Sequence, residues 1–93
     1  MNGMSIEERV QEIKENILIE DIVDEFISLE EKGNRLVGKC FFCQSEKESF
    51  SVSPVNQLFY CYNCHTGGDV IYFLRNCLDL TFMEALERLE EKL

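Results

Sequence analysis

Two hydrophobic periods alternate along the chain, and the switches between them divide it into three parts. Ile6, Val10, Ile13 and Ile17 recur at helical spacing, so a helix over about 5–16 presents one apolar stripe. Ser5 and Glu8 have the form of a capping box at its start, and Asn16 marks its end. Ile19, Ile22, Val23 and Phe26 predict a second, short helix over Ile19 to Glu25. From Ile27 the period becomes two. Ile27 and Leu29 alternate with polar residues, Gly33-Asn34 marks a turn, and Arg35 to Lys39 returns as a strand. Ser49 to Ser53 alternates again, Pro54 to Gln57 turns, and Leu58-Phe59-Tyr60 runs into Cys61.

Thr66 to Asp69 reads as a turn in which Gly67 and Gly68 relax the backbone and Asp69 caps the next helix. Helical spacing then resumes, with Val70, Ile71, Phe73, Leu74, Cys77 and Leu78 on a broad apolar face. A second capping box, Thr81 with Glu84, opens a last helix that turns Phe82, Ala85, Leu86 and Leu89 inward. The expected fold is α+β, an antiparallel β-sheet flanked by N- and C-terminal helices. It is a single domain over 1–93, with helices about 5–26, sheet about 27–66 and helices about 69–92.

Charge sharpens this division. The net charge of −9 is uneven: residues 1–31 carry ten acids against two bases, and residues 69–93 carry six against three. The middle, residues 32–68, reverses the balance with four bases and two acids. An acidic chain is a poor generic binder of nucleic acid, since phosphate neutralisation supplies most non-specific affinity. Any polyanion contact must therefore be local. The acidic helical faces are most simply solvated surface, with recognition of a basic partner as their second use. No apolar run approaches the ~20 residues of a membrane span. Met1 to Glu8 has no leader-like apolar segment, and a cytoplasmic location without membrane contact is expected.

The chemistry lies in the basic middle segment. Cys40-Phe41-Phe42-Cys43 and Cys61-Tyr62-Asn63-Cys64 are two Cys-x2-Cys pairs at strand ends, separated by seventeen residues. Two such turns facing each other supply four thiolates, the donor set of a closed structural Zn²⁺ site, and the spacing falls in the zinc range. Two disulfides would need an oxidising compartment. A thioredoxin-like pair would need one Cys-x2-Cys opening a helix. An iron–sulfur cluster is the remaining use of four thiolates, although its spacings usually differ. The sheet thus becomes a small zinc ribbon holding one structural Zn²⁺ at Cys40, Cys43, Cys61 and Cys64. With four protein ligands no position is left for water, so no independent catalytic activity is expected. His65 is an alternative ligand of lower rank, best placed on the surface beside the metal loop, and Cys77 sits at an apolar helical position as a small core residue.

A set of motifs in order then carries a family resemblance. These are Ile22-Val23-Asp24-x-Phe26-Ile27-x-Leu29, Cys40-x-Phe42-Cys43, Ser49-Phe50-x-Val52-x-Pro54 and Gln57-x-Phe59-x-Cys61-x-x-Cys64. Gly67-Gly68-Asp69-Val70-Ile71-x-Phe73 and Phe82-x-Glu84-Ala85-x-x-x-Leu89 complete it. From about Ile17 to Leu89 the chain resembles the N-terminal zinc-binding domain of bacterial DnaG-type DNA primases. That resemblance implies a zinc ribbon that helps engage a single-stranded DNA template in primer synthesis, with the catalytic Toprim-type domain outside this chain. It also implies replication-protein partners such as the primase catalytic domain or the helicase. The family usually has Cys-Pro-Phe-His where Cys40 to Cys43 stand here. Glu46 falls where the family has a lysine, and Leu36 and Val37 replace an aromatic and basic pair.

Arg35, Lys39 and Lys47 are the candidate phosphate contacts, against ordinary solvated charge. Phe59, Tyr60 and Tyr62 flank the second knuckle. Core packing is the first expectation for each ring, and one side of the strand can instead stack an unpaired base, which makes Tyr60 and Tyr62 candidate DNA contacts. An alternative function fits the acidic flanks: a stand-alone zinc module, with a mobile element as one candidate source, that docks on replication proteins and binds no DNA.

Overall fold

A computed structural model describes residues 3–43 and 46–93, so Met1 and Asn2 of the stretch read for leader features lie outside the described residues. Helix α1 spans Ile6–Asn16, and its capping box forms: Glu8 N–H donates to Ser5 Oγ at 3.1 Å and Ser5 N–H to Glu8 Oε1 at 2.8 Å. Ile13 and Ile17 are buried and Val10 half-buried, but Ile6 at the helix start remains exposed rather than completing the stripe. Helix α2 spans only Ile19–Val23. It closes before Glu25 because the amides of Glu25 and Phe26 bond three residues back, to Ile22 and Val23, and tighten the chain into a turn.

Five antiparallel strands come next in sequence order: β1 Glu30–Lys32, β2 Arg35–Gly38, β3 Phe50–Ser53, β4 Leu58–Cys61 and β5 Thr66–Gly68. Lys32 pairs with Arg35, so Gly33-Asn34 forms a two-residue hairpin loop with Gly33 at φ +65°. Two expectations need correction. The first strand does not start at Ile27. Ile27 is buried across the end of β2, where a side chain at Gly38 would meet Ile27 Cγ2 and the Ser28 carbonyl at 2.7 Å, and pairing starts only at Glu30. The segment Thr66–Gly68, read as a turn, is a strand, because Cys61 pairs with Thr66 across the second knuckle and draws the chain back along β4. Two glycines in three residues give no propensity signal for this; the pairing is tertiary.

Register fixes which side each strand residue takes. Phe50, Val52, Phe59 and Cys61 point inward and are buried, whereas Ser51, Ser53, Leu58 and Tyr60 point outward. The inner face is covered by α2 and by α3, Val70–Leu78, whose first turn Asp69 caps by accepting from Tyr72 N–H at 2.9 Å. Helix α4, Phe82–Glu90, starts at the expected Thr81–Glu84 capping box, buries Ala85, Leu86 and Leu89, and packs on α3 and α1. Cys77 is half-buried at the core's margin, and burial pushes its thiol up to about 12. Among the described residues no helix is long and apolar enough to cross a membrane.

Candidate metal centre and sheet face

The first knuckle comes after β2, and the second is the connection from β4 to β5. Antiparallel pairing of Gly38 with Phe50 and of Phe50 with Cys61 brings the ends of these strands side by side. The sulfurs of Cys40, Cys43, Cys61 and Cys64 consequently lie within 4.8 Å of one another. Cys40 Sγ is 3.9 Å from Cys64 Sγ, and Cys43 Sγ is 3.8 Å from Cys61 Sγ. Four sulfurs at ~2.3 Å from one tetrahedral Zn²⁺ are about 3.8 Å apart, so the donor set and its spacing fit this ion.

Donors surround the sulfurs, and sequence reasoning missed them. Asn63 Nδ2–H donates to Cys43 Sγ at 3.3 Å, Cys64 N–H to Cys61 Sγ at 3.4 Å, and the Ser49 hydroxyl lies 3.5 Å from Cys61 Sγ. Such contacts offset the formal −2 of a Zn²⁺ with four thiolates. Burial opposes ionisation of Cys61, but the Ser49 hydroxyl and the Cys64 and Asn63 amides outweigh it and bring that thiol down to about 6. At Cys40 and Cys64 burial prevails and pushes the thiols up. Ser49 and Asn63 carry no signal in a lone sequence beyond their places next to Phe50 and inside the second knuckle.

The knuckles are tied into the core by Phe42. Its ring centroid lies 5.6 Å from Phe73, 5.7 Å from Phe59 and 6.2 Å from Phe50, so a residue between two sulfur ligands is also part of the aromatic core. Phe41, its neighbour, stays 40% exposed and meets Phe26 edge-on at 5.9 Å.

A scan of family models matches residues 5–93 to the CHC2 zinc finger. The chain belongs to this family. Its zinc-binding fold and the four grouped thiols together assign it one structural Zn²⁺. The DNA primase of Halalkalibacterium halodurans is 36% identical over 92 residues, 99% of this chain and 15% of that protein. The DNA primase of Geobacillus stearothermophilus is 36% identical over 86 residues, 92% of this chain and 14% of that protein. A crystal structure of the Aquifex aeolicus primase, comprising its zinc-binding and RNA polymerase domains, superposes with a TM-score of 0.86 at 34% identity. The superposition covers 96% of this chain and 22% of that one. The chain thus corresponds to the zinc-binding domain of DnaG-type primases and spans about 15% of the length of the curated primase it matches over 92 residues. Within the family pattern, Cys43 stands where the resemblance places a histidine, and the all-sulfur set keeps the spacing of a tetrahedral site.

The other candidate residues are distributed unequally. Arg35, Tyr60 and Tyr62 come together on the outward side of the sheet. Arg35 Nη1 donates to Tyr62 Oη at 2.9 Å, and the Tyr60 and Tyr62 rings meet edge to face at 4.9 Å. Core packing therefore holds for Phe59, which is 2% exposed, and fails for Tyr60 and Tyr62, at 37% and 54%. Strand alternation turns Tyr60 outward, and Tyr62 lies past the strand end in the knuckle. His65 is outside the sulfur cluster; its Nδ1 is 3.2 Å from Tyr60 Oη. Gly67 has extended backbone, and its lack of a side chain has a steric reason: a Cβ there would sit 2.7 Å from Tyr60 Cδ1 and 2.8 Å from the Phe59 carbonyl oxygen. The Tyr60 ring is thus seated over β5. Lys39 is apart from this group, 3.9 Å from Glu46, and Lys47 is exposed in the connection before β3.

Proposed function

We propose that this chain is the template-engaging zinc module of a DNA primase or primase-like protein. Cys40, Cys43, Cys61 and Cys64 hold one structural Zn²⁺, and the outward face of the sheet binds single-stranded DNA. The observation that carries the reading is the joining of Arg35, Tyr60 and Tyr62 on one exposed face of a sheet clamped at its end by the sulfur cluster. Exposed rings on a sheet offer stacking platforms worth ~1–3 kcal/mol per base, and a guanidinium beside them suits a phosphate. Lys39 and Lys47 add charge on either side of the first knuckle in sequence. The metal's part is to keep the face rigid. Joining of nucleotides belongs to a catalytic domain outside this chain, with which the module cooperates.

A second reading has its own support. Lys32 and Lys39 already lie 3.3 Å from Glu48 and 3.9 Å from Glu46, and ten acids crowd residues 1–31. These favour a zinc module that docks on replication proteins through its acidic helices.

Fluorescence anisotropy with a labelled single strand, at low and moderate salt, separates the two. Template engagement predicts salt-sensitive binding that weakens in Arg35→Ala and in Tyr62→Ala. No binding even at low salt transfers the assignment to the docking module.

A further inference from the structure

The two edges of the sheet are built differently. At one, β1 presents Glu30, Glu31 and Lys32, all exposed, and such charge deters another strand from pairing. At the other, β5 is Thr66-Gly67-Gly68, with neither charge nor proline. Tyr60 lies over Gly67, and a Cβ at Gly68 would be 2.8 Å from the Tyr72 ring, so both positions stay bare. Alternate residues of an edge strand turn their N–H and C=O away from the sheet. Among the described residues no strand pairs with that side of β5, and its backbone makes no hydrogen bond outside the β4 ladder. A groove of about 450 Å³ opens beside it, walled by Phe41, Phe42, Thr66, Tyr72 and Asn76. Phe41 and Tyr72 are each 40% exposed there.

We propose that the β5 edge takes a sixth strand, an extended segment of a basic partner protein with apolar side chains at alternate positions. Thr66 and Gly68 face the helices, because their partners Cys61 and Phe59 do. Residues of the added strand opposite them drop into the groove against Phe41 and Tyr72, and the residue opposite Gly67 faces outward. Charge selects the partner. Zn²⁺ with four thiolates adds a formal −2 beside the groove, and residues 69–93, which include α3, carry six acids against three bases. The chain as a whole is −9, so two copies joined at β5 repel each other, whereas a lysine-bearing strand is attracted.

The probe is a fluorescein-labelled Lys-Val-Lys-Val-Lys peptide, read by anisotropy at low salt with the zinc-loaded protein, beside versions N-methylated at the valines or at the lysines. Only alternate amides of an added strand face β5. One methylated version is therefore expected to lose at least about five-fold in affinity, the effect of one neutral hydrogen bond, while the other keeps most of it. Asn76→Lys, at an exposed position on the groove wall, is expected to weaken binding more than Glu15→Gln, which changes the net charge equally on α1. Zinc content of each variant reports that the sheet has formed. Equal affinity of the three peptides, equal effects of the two substitutions, or no peptide binding overturns the inference. A dimer in sedimentation that the peptide does not dissociate places a second copy at the edge and overturns it too. None of these outcomes touches the binding of single-stranded DNA.

Discussion

Gln57 occupies φ 58°, a left-handed conformation that costs ordinary residues roughly 1–2 kcal/mol. Its side chain offsets this. Oε1 accepts from Ile19 N–H at 2.8 Å, and Nε2 donates to Glu20 Oε1 at 2.9 Å and to the Pro54 carbonyl at 2.8 Å. Helix α2 has Leu18 at its N-cap with no side-chain hydrogen bond, so Gln57 supplies from across the molecule the partner that a local cap would have given. Gln57→Ala removes these bonds and keeps the backbone strain, and is expected to cost about 2–3 kcal/mol in urea unfolding of the zinc-loaded protein. Gln57→Gly loses the same bonds but relaxes the backbone, and should be milder by about 1 kcal/mol. An alanine variant more stable than the glycine variant would show that the turn is unstrained.

At the scale of elements, the two knuckles act as one unit because each supplies two of the four grouped sulfurs, and Phe42, inside the first knuckle, ties that unit to the core rings. Zinc binds thiolates, so protons compete with it, and raising the pH must strengthen uptake. Cys61, brought down to about 6, is largely ionised at neutral pH, whereas burial keeps protons on Cys40 and Cys64. Chelator competition at roughly pH 6.5 and 7.5 should show apparent affinity rising by more than tenfold, with acid released into a weakly buffered solution. A pH-independent affinity would contradict this division of protons.

The same elements show how much the sequence disclosed. The capping boxes at Ser5 and Thr81, the hairpin at Gly33-Asn34 and the four-cysteine spacing are local signals, and each is found where its residues predict it. Strand β5, the cap from Gln57 and the donors on the sulfurs from Ser49 and Asn63 depend on pairings between distant segments, to which local periodicity is blind. Tyr60 and Tyr62 fall between these cases. Alternation along β4 says that Phe59 and Tyr60 face opposite ways, but only the helices packed against one side decide which of them is covered.

Across the whole molecule, a hydrogen-bonded fork joins the beginning to the end. Arg9 Nε and Nη2 each donate to Glu90 at 2.8 Å, so the first turns of α1 lie against the last turn of α4. Lys92 adds a contact to Glu25 at 3.1 Å. Arg9 in turn holds the Glu90 carboxyl below the ordinary glutamate range. Gly33, at the tip of the β1–β2 hairpin, has nothing within 4 Å of where a side chain would be. The chain is therefore suited to circular permutation: a short linker from Leu93 to Gly3 replaces the fork's work, and new termini open between Gly33 and Asn34. Such a permutant is expected to take up one zinc per chain with an unchanged circular-dichroism spectrum. The point at which the polypeptide is opened is, for this fold, separable from the sheet it builds.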